Sequence, residues 1–427
     1  MKNLLLKIAV LTLTVCLSLL SFGCGESDGG ETVQTTGEYK YRLATGTRDV
    51  LDEEGEIVKE EDGSNKTESY KYYIITGFEV SSEDALKMAE GDYSTVEKYR
   101  VLGTETNALP KTGRDLGEDN DYPVEEIASG AFTNQIIFTD ITIGDHIKTI
   151  GEGAFAGCTN LNSLTLPFIG KSIDATGAES LFGHVFGASA TGDKNVEVKA
   201  KICERKDDAG ASIIPEGSLD ITFTVPSSLK TVNLGSTKIE TIPECAFYGM
   251  SMLKNVIIPE TVVDIQSHAF YGCTGLTFFN LHKVKTIYQN AFNGCSSLKT
   301  IDFGEVEVIE KYAFAGCSKL GENRFEEDEA KLTITLPATL KELGKNAFRG
   351  CSNAKYFNIE NTQIEVIDNS VFADCLNLVK VTLKNNLTIK AGAFANCNKL
   401  DEEVMTQMVK TKSNVKVEVG AFAFEIK

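Results

Sequence analysis

Between Leu161 and Pro167 the chain reads Leu-Asn-Ser-Leu-Thr-Leu-Pro, with apolar and polar residues alternating up to the proline. The frame returns as Leu253-Lys-Asn-Val256-Ile-Ile258-Pro259, Leu276-Thr-Phe-Phe279-Asn-Leu281, Leu298-Lys-Thr-Ile301-Asp-Phe303 and Leu378-Val-Lys-Val381-Thr-Leu383. A period of two predicts a short strand with one face in a core and the other in solvent. A second apolar position follows, as in Ile147-Lys-Thr-Ile150 and Val262-Val-Asp-Ile265, and a polar turn then leads to Ala-Phe. The repeat Phe residues stand at 132, 155, 182, 247, 270, 292, 314, 348, 372, 394 and 422, most often 22 or 23 residues apart. That fixed period predicts a solenoid, in which each rung buries its apolar face against its neighbours.

The Ala-Phe pair has a packing logic. The Phe fills the interior on the convex side, and the small Ala lets the chain turn tightly beside it. Rungs about 4.8 Å apart would stack each Phe on the next, worth about 0.5–1.5 kcal/mol per pair. A Cys stands three residues after the Phe in seven rungs, at 158, 273, 295, 317, 351, 375 and 397, and Met250 fills the slot once. Exchange with another soft apolar residue predicts a buried thiol column. Equivalent side chains on stacked rungs run parallel at about the rung spacing, longer than the ~3.5–4.5 Å between Cβ atoms of a disulfide. The column has no Cys-x-x-Cys spacing and no His cluster beside it, so a zinc site is not expected.

These residues together resemble the BspA-like leucine-rich repeat family. The family pattern Cys-x-x-Leu-x-x-Ile-x-Leu-Pro-x-x-Val-x-x-Ile-Gly-x-x-Ala-Phe is nearly complete in Leu161–Pro167 and Leu253–Cys273. The likeness spans about residues 122–424, entered through Tyr122-Pro-Val-Glu-Glu-Ile127. It implies a β-rich leucine-rich-repeat solenoid, an α/β-type repeat stack with short turns or 3-10 segments on the convex side. It also implies an exported or surface-anchored bacterial protein that binds proteins of a host or a neighbouring cell.

Residues 39–121 do not follow the repeat. Tyr39-Lys-Tyr-Arg-Leu43 and Tyr70–Thr76 read as two strands around an acidic loop, Asp52–Gly63, and are expected to form an N-terminal β cap. A solenoid needs its end rungs covered. At the other end a C-terminal cap is expected from about residue 398, with an amphipathic helix over Leu400–Lys410 and a strand segment over Val415–Ile426. The rhythm fails between Phe182 and Phe247, which predicts an insertion over residues 168–225. It carries a basic cluster of Lys199, Lys201, Arg205 and Lys206 on an acidic chain. Long insertions are common seats of binding, and a tolerated excursion is the plainer reading. Glu322–Glu329 reads as a solvated acidic loop without the ordered ligand spacing of an EF-hand. Cys203 and Cys245 lie off the thiol column, and a disulfide between them is one option in an exported protein.

The first 23 residues form a signal peptide, with Lys2 and Lys7 flanking the start and an apolar run over Ile8–Leu20. The run is too short to span a bilayer, which takes about 20 apolar residues. Leu19-Leu-Ser-Phe-Gly23-Cys24 resembles the lipobox of bacterial lipoproteins, although Ser21 stands where that motif has an apolar residue. The resemblance makes Cys24 the lipidated residue. Residues 24–38 then read as a flexible tether. The expected location is exported and lipid-anchored, at the bacterial membrane or outer surface.

A formal charge of -19 disfavours nucleic acid as a partner, because phosphate affinity comes from Lys and Arg. The four His residues, 146, 184, 268 and 282, fall on different rungs, and no nucleophile elbow, P-loop or His-Glu-x-x-His is present. No enzymatic activity, cofactor or metal is expected. The strand face is the candidate binding surface. Its outward rows supply Phe278, Asn280, Asp302, Tyr356, Asn358, Lys380 and Thr382, with His282 beside them. The aromatics are the best anchors, since aromatic residues dominate interface hot spots. The expected ligand is a protein, with a carbohydrate-binding or purely structural envelope role as alternatives.

Overall fold

The computed structural model describes residues 34–36, 39–52, 56–60, 62–79, 101–102, 109–187, 195–201, 205–206, 212–213, 220–234, 238–323, 326 and 328–422. Each regular rung contributes a three-residue strand whose middle residue points inward. Leu164, Val232, Val256, Phe279, Phe357 and Val381 hold that place and are buried. Asp140–Thr142, Ser163–Thr165, Thr231–Asn233 and Asn255–Ile257 pair in parallel and in register. Phe278–Asn280 pairs likewise with Thr300–Asp302, and Thr333–Thr335, Tyr356–Asn358 and Lys380–Thr382 form a further run. This is the strand face read from the sequence.

A second parallel ladder lies beside it. Thr241–Ile242, Asp264–Ile265, Thr286–Ile287, Val308–Ile309 and Glu342–Leu343 stack in register, followed by Val366–Ile367, Leu387–Ile389 and Val415–Val417. The sequence pattern assigns only an apolar position here, because two residues are too few to display alternation. Stacking supplies what the local sequence does not: each pair finds the same backbone partners on the next rung.

The Ala-Phe turn closes the rung. Phe292 N–H donates to Ala313 O at 2.8 Å on the following rung, and the Phe247, Phe270 and Phe314 amides do the same at 2.7–2.8 Å. The turn needs left-handed backbone on both sides of the Phe, at Asn290 (φ 57°) and Gly294 (φ 77°) around Phe292. Such φ values favour Gly and Asn. His268 (φ 59°) and Cys245 (φ 55°) hold the first of these slots elsewhere. From Phe247 to Phe394 successive rings stack 5.0–5.9 Å apart and within 10° of parallel.

Within the insertion, two Phe residues share one slot. Phe155 N–H donates to Val185 O (2.8 Å), which makes Phe186 the partner of the rung before, while Phe182 N–H donates to Ala246 O (2.9 Å) on the rung after. The motif marks Phe182 alone. A 3-10 turn over Phe182–Val185 carries the four-residue shift, and the two rings meet edge-on at 5.6 Å. A hairpin of Asn195–Lys201 and Asp220–Pro226 packs over this turn. Phe223 lies so close to Gly183 that an added Cβ would fall 2.1 Å from its ring.

At the start, Tyr39–Asp49 and Thr67–Phe78 form an antiparallel pair longer than the sequence pattern marks. Thr67–Phe78 pairs in parallel with Val124–Ile127, which pairs with Thr149–Ile150, so the hairpin joins the edge of the second ladder. At the far end a helix covers Glu402–Thr411 and a strand covers Val415–Val417, and residues 423–426 of the expected strand segment lie outside the described residues. Asp401 starts the helix, accepting from Val404 N at 2.9 Å.

Candidate binding face

The first ladder carries every candidate strand-face residue except His282, which lies in the turn after Asn280, and divides them into two groups. Phe278 and Asn280 stand opposite Thr300 and Asp302, whereas Tyr356 and Asn358 stand opposite Lys380 and Thr382. Asp302 and Thr333 lie in different runs of the ladder, with the acidic insertion between them along the chain. That insertion is not a free loop. Lys299 pairs with Glu322 at 3.2 Å, Lys331 with Glu326 at 3.2 Å, and Glu329 begins a one-turn helix, Glu329–Leu332, that buries Leu332.

In the first group Phe278 is 44 % exposed and Ile257, one rung earlier, 41 %. Thr277 N–H donates to Lys254 O at 3.2 Å, which holds these two rungs together. The polar candidates have local duties. Asn280 Oδ1 accepts from His282 N–H (3.0 Å), Asp302 Oδ1 from Gly304 N–H (3.2 Å) and Asn358 Oδ1 from Glu360 N–H (2.9 Å). Each side chain thereby bends the chain out of its strand, a turn that Asn and Asp make well. His282 adopts φ 43° within one of these turns.

The second group borders a groove. Tyr356 is half-buried, and Lys380 Nζ is 2.8 Å from Glu329 Oε1. The C-terminal helix stands where the next strand would lie and borders, with Lys380, Thr382 and Glu360, a shallow groove open to solvent, of about 580 Å³. Its wall is Glu403, Val404, Gln407, Met408 and Thr411, and Lys412 pairs with Glu360 at 2.7 Å. The spacing of the wall residues is that of one helix face. The periodicity of this segment was legible in the sequence, but Val404, Gln407 and Met408 could not be placed beside Lys380 without the docked helix.

The remaining candidates lie apart from this face. Cys24 is outside the described residues. Of the basic cluster, Lys199 is exposed on the insertion hairpin, and the side chains of Lys201, Arg205 and Lys206 lie outside the described residues. Cys245 is buried, and Cys203 lies outside the described residues. The seven column thiols are buried, and burial raises the Cys273 pKa to about 12. Among the described residues, no group of three or more His, Cys, Asp or Glu side chains could hold a metal ion, and no helix is long and apolar enough to cross a membrane.

Parallel ladders of short strands, a column of stacked Phe rings and two outward rows of variable residues define a leucine-rich-repeat scaffold. The chain belongs to the BspA type Leucine rich repeat family, whose repeat region matches in six copies over residues 124–178, 220–332 and 318–423. The unmatched stretch between 178 and 220 lies within the insertion. Similar solved structures include a leucine-rich repeat protein from Bacteroides ovatus, at 20 % identity over 92 % of this chain and 80 % of that one, with a TM-score of 0.37. A leucine rich cell surface protein from Faecalibacterium prausnitzii aligns at 16 % identity over 92 % and 96 %, with a TM-score of 0.26. The leucine rich repeat protein of T. pallidum aligns at 15 % over 84 % and 96 %, with a TM-score of 0.28. At these values the family assignment rests on the repeats. No curated protein matches the chain.

Proposed function

We propose that this chain is a non-catalytic scaffold that binds a protein partner through its strand face, displayed at a bacterial cell surface by lipid on Cys24. The observation that carries the binding reading is the exposure of Ile257 and Phe278 on adjacent rungs, in the two neighbouring outward rows of the strand face, where Ile257 is in register with Asn233 and Phe278 with Thr300. Apolar side chains held outward by a rigid ladder lose little entropy on binding and serve as anchors. The anchor reading is supported by the lipobox-like Gly23-Cys24 and the polar tether that follows.

The test is an array of purified extracellular proteins and glycans, probed with the wild type and an Ile257→Ala/Phe278→Ala double variant. Protein hits that weaken at least tenfold in the variant are expected. Hits unchanged by the substitutions would remove this face from the reading, and hits confined to glycans would replace the protein partner with a carbohydrate.

A further inference from the structure

The two ladders end differently. The C-terminal helix packs beside Lys380–Thr382, the last strand of the first ladder. Val415–Val417 is the last strand of the second, and no strand lies on its outer edge among the described residues. Val415 and Val417 stand in register with Leu387 and Ile389. Those two are buried, whereas Val415 and Val417, with no described rung beyond them, are only half-buried. Val419, next in the same alternation, is 96 % exposed. In a parallel ladder, alternate residues direct their backbone groups to opposite neighbours. Asn414 O accepts from Leu387 N–H (3.2 Å) and Glu418 N–H donates to Ile389 O (2.9 Å), so the even-numbered residues face the preceding rung. Val415 and Val417 therefore turn their N–H and C=O away from the stack, and these groups have no hydrogen-bond partner among the described residues.

Lys416 and Glu418 alternate with the valines and are exposed, and Lys390 Nζ lies 2.9 Å from Glu418 Oε1. Two identical strands related by a two-fold axis pair antiparallel, and the contact is the same on both copies. With Val417 opposite Val417 of the other copy, Val415 meets Val419 and Lys416 meets Glu418, each of them twice. Directly opposed side chains stand about 4.5–5.5 Å apart at Cβ, where opposite charges attract and like charges repel. A pairing centred on Lys416 would set lysine against lysine. Lysines on an edge normally discourage strand pairing. Here Glu418, two residues after Lys416, makes one register favourable.

We propose that Val415–Val419 is a self-complementary edge through which two copies of this chain pair end to end, antiparallel, in the register centred on Val417. The pairing gives the outward backbone groups of Val415 and Val417 their partners, as buried backbone requires. It also sets the valines of the two copies against one another, so that each stack covers the other's open end. The N-terminal caps then lie at opposite ends of the pair. This surface is separate from the face around Ile257 and Phe278, and it stands independently of the binding-scaffold reading.

The test is sedimentation equilibrium of the full chain carrying Cys24→Ala, so that acylation cannot itself drive association. A concentration-dependent dimer is expected. Lys416→Glu sets glutamate against Glu418 at both pairs and should weaken the dimer at least about tenfold. Glu418→Lys should do the same, and an equimolar mixture of the two variants should recover it, because each then opposes its charges to the other's. Melting temperatures report whether the variants fold. Glu418→Lys also gives up the bond to Lys390, so Lys416→Glu decides the matter if that variant does not fold. On the wild type, hydrogen exchange at the Val417 amide should be fast in dilute solution and slow in the dimer. A dimer indifferent to Lys416→Glu would overturn the proposal. So would a monomer at every concentration, including one whose Val417 amide is always slow because residues 423–427 take the edge. A monomer that still binds a protein through Ile257 and Phe278 would sink the pairing and leave the scaffold reading standing.

Discussion

The Cys273 thiol donates a hydrogen bond to the carbonyl of Phe247, 3.1 Å away on the preceding rung. The same bond joins Cys295 to Phe270, Cys317 to Phe292, Cys351 to Phe314, Cys375 to Phe348 and Cys397 to Phe372. The thiol column is thus a ladder of inter-rung hydrogen bonds, set beside the Phe stack. Cys fits because it is small and apolar yet carries a weak donor. Replacing Cys273 by Ala should cost about 1–2 kcal/mol, from lost burial and a lost neutral hydrogen bond. Chemical denaturation measures it. In the native protein the column thiols should resist Ellman's reagent, because burial holds them protonated, and should react as the chain unfolds.

Phe292 lies between Phe270 at 5.0 Å and Phe314 at 5.2 Å and meets Phe279 edge-on at 4.9 Å. Phe292→Ala removes all three contacts and should cost about 3–5 kcal/mol. In a solenoid each rung couples only to its neighbours. The loss should therefore be local. Amide exchange is expected to speed up first in the rungs from 270 to 314, and uniform acceleration along the whole chain would contradict the neighbour-coupled picture.

His268 is buried in a left-handed turn with Nε2 2.9 Å from Asn290 Nδ2, and burial lowers its pKa from 6.5 to about 4. The unfolded chain then binds more protons between these values, and stability should fall as pH drops from 6.5 to 4. At about 1.4 kcal/mol per pKa unit the contribution is at most about 3 kcal/mol. His268→Asn, a residue suited to this φ, should flatten that part of a melting-temperature profile.

A second pH window lies lower. Hydrogen bonds from Lys283 and Lys285 hold the Glu305 carboxyl down from 4.5 to about 2. A depressed carboxylate stabilises the fold above its unfolded pKa, and that contribution is lost as pH falls from 4.5 through 2. Glu305→Gln should weaken the dependence in that window, and the part carried by Glu307, Asp374 and Glu418, whose carboxyls are also held down, should remain. Glu305 is exposed, so added salt should shrink the effect.

Cys24→Ala should move the protein from the membrane fraction to the soluble fraction of cells expressing the full chain. Acyl chains anchor by burying CH₂ groups at about 0.8 kcal/mol each. Membrane association that survives the substitution would rule out lipid on Cys24 as the anchor.

Much of the fold was legible in the sequence because the repeat writes its own packing. Leu164, Val256 and Phe279 announce the buried middle of a strand through alternation, and the Phe period announces the stack. The second ladder was not legible, since Thr286–Ile287 and Val308–Ile309 are too short to carry a period. Phe186 was hidden for a different reason: nothing in Leu181–Phe186 says which ring faces which rung. Asn280, Asp302 and Asn358 were marked as outward polar residues, but their part in shaping the turns depends on backbone angles that no pattern encodes.

By itself the sequence determined which side chains are buried and which are displayed, because burial follows a period that the chain repeats many times. Tertiary structure alone decided how the displayed residues are grouped. Asp302 and Thr333 fall in separate runs of the ladder, and the C-terminal helix brings Val404 and Met408 alongside Lys380 and Thr382. Contacts of this kind join segments with no common period, and they form only when the end of the stack is closed by an element that is not a rung.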